Sequence, residues 1–467
     1  MAYSSSHSLL RYSSHLRNLQ YKTCNYHLLT NNIIRKRTIA AAAASSATSC
    51  YSSLSAPNPS PILSSDEKPI LSQFPLLVFP SGSPYDPKRE LNRNASFRFF
   101  NPATNRFTGQ FTSPLQKIAE SAAYPVFSNR GWLTYLDFTD CSLFLVNALS
   151  PSPSQQDIIT LPSFKTFKPF ATQEIEDICE CPDAVPLDAG KIALSSPPTD
   201  DNCLVMLWLG DDLQEDRISP DRYERKYTRS EFAFCRIGDS RWTFLEREIR
   251  KDGDSVTTGD IVYSNRDKLF YTFNFGDLEA FDLNNTSSPV SFKCPITEYP
   301  RKFLSEFEKD VDENGTWHND YLVESPHGDL LRIERHYVLL GKDGSILEDK
   351  GFSQTRNFIK VRYRSVYFRV YKLDVEKQMA EDFNLEGMAV FVGNNQSFCV
   401  SVGDRPGLSP NSIYFTDDLS RVLGCNCSHG GHDNGVYNLL THTVSPLFQP
   451  FDFKRIKPAP MWLSSPI

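Results

Sequence analysis

Residues 131 to 147 read GWLTYLDFTDCSLFLVN. Leu133, Tyr135 and Asp137 alternate with Trp132, Thr134 and Leu136; Phe138-Thr139-Asp140-Cys141 then breaks the pattern, and Leu143 to Val146 resume as a continuous apolar run. A period of two sends successive side chains to opposite sides of a strand, and aromatic side chains pack well on that pleated surface. The stretch therefore predicts a β-hairpin whose Trp and Phe are packing residues rather than a ligand box.

Similar runs recur downstream. Strands are expected at Leu76 to Phe79, Phe97 to Phe100, Cys203 to Leu209, Phe232 to Ile237, Trp242 to Leu245, Ile261 to Tyr263, Lys268 to Phe273 and Leu278 to Leu283. Others follow at Tyr321 to Glu324, Leu330 to Leu340, Phe358 to Leu373, Met388 to Val392, Ser397 to Val402, Ile413 to Phe415 and Val436 to Leu439. Turn residues punctuate them, as in Ile237-Gly238-Asp239-Ser240, Ser325-Pro326-His327-Gly328-Asp329, Lys342-Asp343-Gly344 and Gly393-Asn394-Asn395. No amphipathic helical window stands out. Thirty-three Phe and 20 Tyr against 5 Met also favour strands over helix bundles. The fold class is all-β, and sequential hairpins over a body of this length predict a β-propeller of six or seven four-stranded blades.

Three inserts break the rhythm. Residues 150 to 198 are rich in Pro and acids, residues 211 to 229 carry mixed charges, and residues 301 to 316 have room for a short helix. Such segments on a rigid scaffold are the default place for partner contacts, although surface insertions without a task are also well tolerated.

Ahead of the body, residues 1–50 have the composition of an organellar transit peptide. All six basic residues before position 65 (Arg11, Arg17, Lys22, Arg35, Lys36, Arg37) precede the first acid, Asp66. Leu9, Tyr12, Leu16 and Leu19 share one face of a short amphipathic helix, and the Ala40 to Ala44 run follows the basic triplet. That pattern engages an organellar import machinery, with the mitochondrion preferred and the chloroplast as the alternative. Residues 51–72 form a Pro- and Ser-rich linker, and residues 73–467 make the propeller. No run approaches the length of a membrane-spanning helix.

Charge excludes one class of partner. The net charge of −7 conceals the basic leader; without its six cations, 43 basic residues face 56 acidic ones. A body that acidic lacks the basic stripe that would neutralise phosphates, so nucleic acid is not expected as a partner.

Chemistry-bearing motifs are sparse. No G-x-S-x-G elbow, Walker loop, G-x-G-x-x-G or H-E-x-x-H occurs. The stretch nearest to a metal site is Cys425-Asn426-Cys427-Ser428-His429-Gly430-Gly431-His432. Thiolates and imidazoles suit zinc, but Cys425, Cys427, His429 and His432 crowd into eight residues with little room for unstrained tetrahedral geometry, so a Gly-rich loop is the expectation and no metal or other cofactor is assigned. Cys179 and Cys181 read as incidental loop cysteines, and Cys235 and Cys399 as buried thiols. His318, His327 and His336 suggest turn or surface roles. Asp417-Asp418 suit a turn cap after the Ile413 to Phe415 strand, with a channel-facing cation or basic-peptide site as the alternative. No catalytic residue is assigned.

These motifs in this order carry a family resemblance. Gly131-Trp132-Leu133, Leu143 to Asn147, Phe232 to Arg236 with Trp242-Thr243, Asp260-Ile261-Val262-Tyr263 with Leu269-Phe270-Tyr271 and Tyr321 to Ser325 are its earlier landmarks. Asn411 to Asp418, Gly435-Val436-Tyr437 and Pro460-Met461-Trp462-Leu463 are its later ones. Over residues 75 to 465 the chain resembles the plant-specific β-propeller family of KIB type, long labelled a domain of unknown function. Members usually carry an F-box that docks to a ubiquitin-ligase adaptor, with the propeller as the substrate-binding end. Here leader and linker occupy that space, so the resemblance is to an organellar branch lacking the F-box. The implied function is a non-enzymatic scaffold that binds a protein partner in an organelle. A ligase substrate receptor that has lost its F-box and an enzyme using the propeller channel are the alternatives.

Overall fold

The structure is a computed structural model describing residues 75–81, 96–112, 124–137, 142–150, 157–163, 191–219, 222–245, 260–274, 277–285, 288–300, 317–341, 345–346, 362–403, 405–418, 431–447, 456 and 459–464. Residues 1–50 and 51–72, assigned to leader and linker, lie outside these, as does the 301–316 insert.

Among the described residues, twenty-five strands form six sheets. The first blade joins β1 (Leu76–Ser81), β2 (Ser96–Asn101) and β3 (Arg106–Thr112) to the last strand, β25 (Met461–Leu463). The second is β4 (Tyr124–Asn129), β5 (Trp132–Leu136), β6 (Leu143–Asn147) and β7 (Ile158–Leu161). The third is β8 (Lys191–Leu194), β9 (Leu204–Ser219), β10 (Arg222–Arg236) and β11 (Thr243–Leu245). The fourth holds β12 (Asp260–Ser264), β13 (Leu269–Asn274), β14 (Asp277–Asp282) and β15 (Val290–Cys294). The fifth holds β16 (Trp317–Glu324), β17 (Leu330–Leu340), β18 (Arg362–Asp374) and β19 (Met379–Asp382). The sixth has five strands in the order β21 (Phe398–Ser401), β20 (Met388–Val392), β22 (Ser412–Phe415), β23 (Gly435–Asn438) and β24 (Thr443–Pro446). The strands β25, β4, β8, β12, β16 and β21 neighbour one another around the centre. The molecule is a six-bladed β-propeller, and no α-helix occurs among the described residues.

Blade packing explains the apolar runs. Six hydrophobic clusters fill the six gaps between neighbouring blades. A strand inside a blade therefore meets a core on both faces, and its alternating residues sort between the two. In β5 and β6, Leu133, Tyr135, Phe144 and Val146 face the first blade. Trp132, Leu136, Leu143 and Leu145 face the third. The same rule sends Leu76 and Val78 of β1 to one neighbour and Leu77 and Phe79 to the other. The predicted hairpin is present, with Leu136 opposite Leu143 and Trp132 opposite Asn147.

The ring closes because β25 pairs antiparallel with β1, placing Trp462 opposite Leu77. Trp462 is fully buried against the stacked Phe391 and Tyr414 rings of the sixth blade, meeting both edge-on. Burying such a side chain stabilises by about 1.5–3 kcal/mol, so three residues carry a substantial part of the closure.

Two of the three inserts are corrected. Residues 150 to 198 contain β7 and β8, the outer strand of one blade and the inner strand of the next. Residues 211 to 229 do not interrupt the blade: β9 and β10 continue through them as a two-stranded ribbon, with Ser219 opposite Arg222.

Candidate functional site

The two faces of the ring differ. Inner strands begin on one face and end on the other, as Arg130 just past β4 shows by donating to Leu194 O and Ser195 O at the end of β8. Beside longer connections such as 195–203 and 237–242, the end face carries compact turns at 102–105, 130–131, 265–268, 325–329, 375–378 and 439–442. Many need a backbone that ordinary residues avoid. Asn105, Lys268, Gln378 and His442 have positive φ, and Arg130 and Gly131 both do, which matches the right-handed strand twist in a two-residue hairpin. β1, β3, β7, β11, β15, β17, β22 and β24 end at the opposite face, each followed in the sequence by a longer joining segment, and the tip of the β9–β10 ribbon lies there too.

Beneath this second face the channel is filled by the chain itself. Gly393 to Ser397, which join β20 to β21, lie across it, with Asn394, Asn395 and Ser397 buried. Gly393 O accepts from Lys191 Nζ of the third blade at 2.8 Å. Gln396 N donates to Ser128 O of the second blade at 3.0 Å. Ser397 Oγ donates to Asp260 of the fourth at 2.7 Å, and Asn395 Oδ1 accepts from Trp462 N of the first at 3.4 Å. Gly393 is required here, since its φ is 144° and a Cβ would run into Thr416.

Lys191 and Asp260 form a buried pair 3.7 Å apart, each at the start of its inner strand. Asp260 also accepts from Leu322 N of the fifth blade at 3.1 Å. Burial raises the Asp260 pKa, while Lys191, Ser397 and the backbone donors act against that rise. Three donors, Ile261 N, Leu322 N and Ser397 Oγ, and one cation thus leave this carboxylate structural.

A second buried network pins the neck of the β22–β23 segment. Arg335, fully buried on β17, donates to Asp418 and Asp433, each at 3.0 Å, and to Thr416 O at 2.7 Å. Burial opposes its charge, but Tyr321, Asp418 and Asp433 outweigh that and hold the guanidinium above its usual pKa. Asp433 also accepts from the backbone N and Oγ of Ser365 at 2.9 and 2.7 Å. Asp417 accepts from Gly431 N at 2.7 Å, His432 N at 3.0 Å and Tyr363 OH at 2.7 Å. Burial and then Asp433 push the Asp417 carboxyl up to about 6. Asp417-Asp418 therefore cap and brace the segment, which favours the turn-cap reading over an open channel site.

Between the fourth and fifth blades lies a third cluster. Arg332 bridges Asp320 and Glu334 at 2.9 and 2.8 Å and lies over the Phe273 ring. His336 is buried, stacked on Tyr367 at 4.2 Å and 17°, and burial lowers its pKa. This corrects the surface role expected for His336. His327 sits exposed in the β16–β17 turn, and His318 is partly exposed beside His336.

Cys235 and Cys399 are buried as expected, and burial raises both thiols, Cys399 to about 12. Cys425, Cys427 and His429 lie outside the described residues, as do Cys179 and Cys181; His432 N–H serves the Asp417 brace. Among the described residues no group of three or more His, Cys, Asp or Glu is placed to hold a metal ion. No helix among them is long and apolar enough to cross a membrane.

Sequence reasoning missed Lys191, Asp260 and Arg335. A charge leading a short apolar strand, as in KIAL and DIVY, is the available signal for the first two. Arg335 carries none, because its carboxylate partners lie 83 and 98 positions away.

The family model described as KIB1-4 beta-propeller matches residues 99–438. The chain belongs to the KIB1-4 beta-propeller family. The matched stretch runs from within β2 to the end of β23, so β1 and β25, which close the KIB-type ring, flank it. No curated protein matches the chain. Among solved structures it is similar to a catalytically inactive virginiamycin B lyase from Staphylococcus aureus with quinupristin. That comparison has 13% identity and a TM-score of 0.21, and covers 56% of this chain and 67% of the lyase. A KIB-type propeller fits a scaffold or binding role, because a rigid ring holds many connecting segments at fixed positions.

Proposed function

We propose that the protein is a non-enzymatic scaffold that binds a protein partner through the face bearing the long joining segments. The observation that carries this reading is the sealed channel beneath that face. Gly393 to Ser397 occupy the position where an enzyme of this architecture would hold converging titratable groups, and Lys191 and Asp260 there are engaged with the loop and with each other. Recognition then falls to the segments above it, above all the β9–β10 ribbon and the braced β22–β23 connection. The leader composition supports an organellar setting, with the mitochondrion preferred over the chloroplast.

The test is affinity capture with the full chain from fractionated cells, with N-terminal sequencing of the mature form. The expected result is import with loss of the leader and a partner that is lost when residues 211–230 are replaced by a short turn. A cytosolic protein that keeps its first fifty residues would overturn the location. A partner retained by every variant of this face would overturn the binding surface.

A further inference from the structure

The six outer strands of the blades are not equally protected. An outer strand presents unpaired N–H and C=O groups to any extended chain, so natural sheets shorten, cover or charge it. β7 packs Ile158 and Ile159 against the cores, and β11 does the same with Phe244 and Leu245. Phe107 of β3 lies under Arg98 at 4.0 Å. Along β19, the passing chain bridges Glu298 to Met379. β24 ends in Pro446 and packs Val444 inward.

β15 differs. Its burial is exposed at four consecutive positions, with only Cys294 buried. Val290 is 53% exposed and Phe292 44%, two of the four large exposed hydrophobics among the described residues. Period two puts both on one face of the strand, while Ser291 and the exposed cation Lys293 take the other. Pro289 and Pro295 bracket the strand and, lacking N–H groups, confine any added pairing to its five residues.

We propose that β15 is a docking edge that takes an extended peptide segment of a partner protein as a fifth strand of the fourth blade. The peptide has apolar residues at alternate positions and acids between them. Its apolar side chains cover Val290 and Phe292, and a carboxylate pairs with Lys293. A peptide is preferred to a second copy of the chain on two grounds. Five residues of edge fall far short of the area a stable dimer buries, and the acidic body repels its like. The site lies on the ring's perimeter, so it stands or falls apart from the face proposed above.

The experiment measures fluorescence anisotropy of a labelled peptide with the core Val-Glu-Val-Glu-Val against the full chain, with Val-Val-Val-Glu-Glu as the control. Saturable binding of the alternating peptide alone is expected. Lys293→Glu and Phe292→Asp should each weaken it about tenfold. Both side chains are exposed, so Phe292→Asp should leave the thermal midpoint unchanged, while Lys293→Glu, opposite Glu279, should lower it only slightly. A peptide with Lys in place of Glu should recover binding to Lys293→Glu. Equal binding of both peptides, no saturation at millimolar concentration, or indifference to the two substitutions would overturn the proposal.

Discussion

The turn face and the segment-bearing face of the ring obey different rules. At the compact turns of the turn face, strand geometry dictates the chain: two to a few residues must reverse direction within the strand twist, and positive φ recurs at Asn105, Arg130, Gly131, Lys268, Gln378 and His442. On the other face, closure entropy grows only slowly with length, so segments are free to lengthen at little cost once the scaffold is stable. Stability should therefore reside in the turns, the cores and the sealed channel, and recognition in the segments above them.

The strongest way to break this division is to strip the buried brace. Arg335→Leu leaves Asp418 and Asp433 without their cation, and removing one partner of a buried pair costs roughly 3–5 kcal/mol. Denaturant unfolding should show that loss; a variant as stable as the parent would remove Arg335 from the scaffold. Trp462→Ala should cost about 3–5 kcal/mol through the cavity left in the closing blade, read by the same measurement.

Acidity offers a sharper probe. Asp417 has a native pKa raised to about 6 from an ordinary 3.8, so the native state binds more protons than the unfolded chain between these values. Its charge penalises the fold above pH 6, and the penalty fades as pH falls towards 4, by at most about 3 kcal/mol. The difference in thermal midpoint between the parent and Asp417→Asn should thus move in the parent's favour from pH 7 to pH 4. A flat difference would show that donors such as Gly431 N, His432 N and Tyr363 OH hold the carboxylate ionised instead.

Smaller still is Gly131→Val on the turn face, where a side chain at φ 82° should cost roughly 1–2 kcal/mol. Replacing residues 211–230 by an Asn-Gly turn should change stability by less than about 0.5 kcal/mol while abolishing partner capture. Substantial destabilisation there would place the ribbon with the scaffold.

Much of the fold was legible because inner and middle strands meet cores on both faces, which writes runs such as Leu143 to Val146 into the sequence. Outer strands carry a weaker signal. β15, β19 and β24 are short and largely exposed, and their polar residues look like turns. β4 contains Pro125, and the four residues of β8 follow a long acidic stretch. The candidate site was less legible still. Gly393-Asn394-Asn395 was readable as a turn, but not as a turn buried in the channel, since its partners come from four other blades. Residues that serve a ring meet only when the ring closes, and local patterns carry no trace of that.

The pairing of β25 with β1 also sets a timetable. A chain emerging from its N-terminal side presents β1, with one edge unpaired, long before Met461–Leu463 exist to cover it. At ordinary synthesis rates that interval lasts tens of seconds. Throughout it Leu76, Leu77 and Val78 sit beside an open sheet edge. The nascent protein is thus exposed to chaperones and to self-association until its last strand arrives, and a tag fused tightly behind Leu463 would lengthen that window.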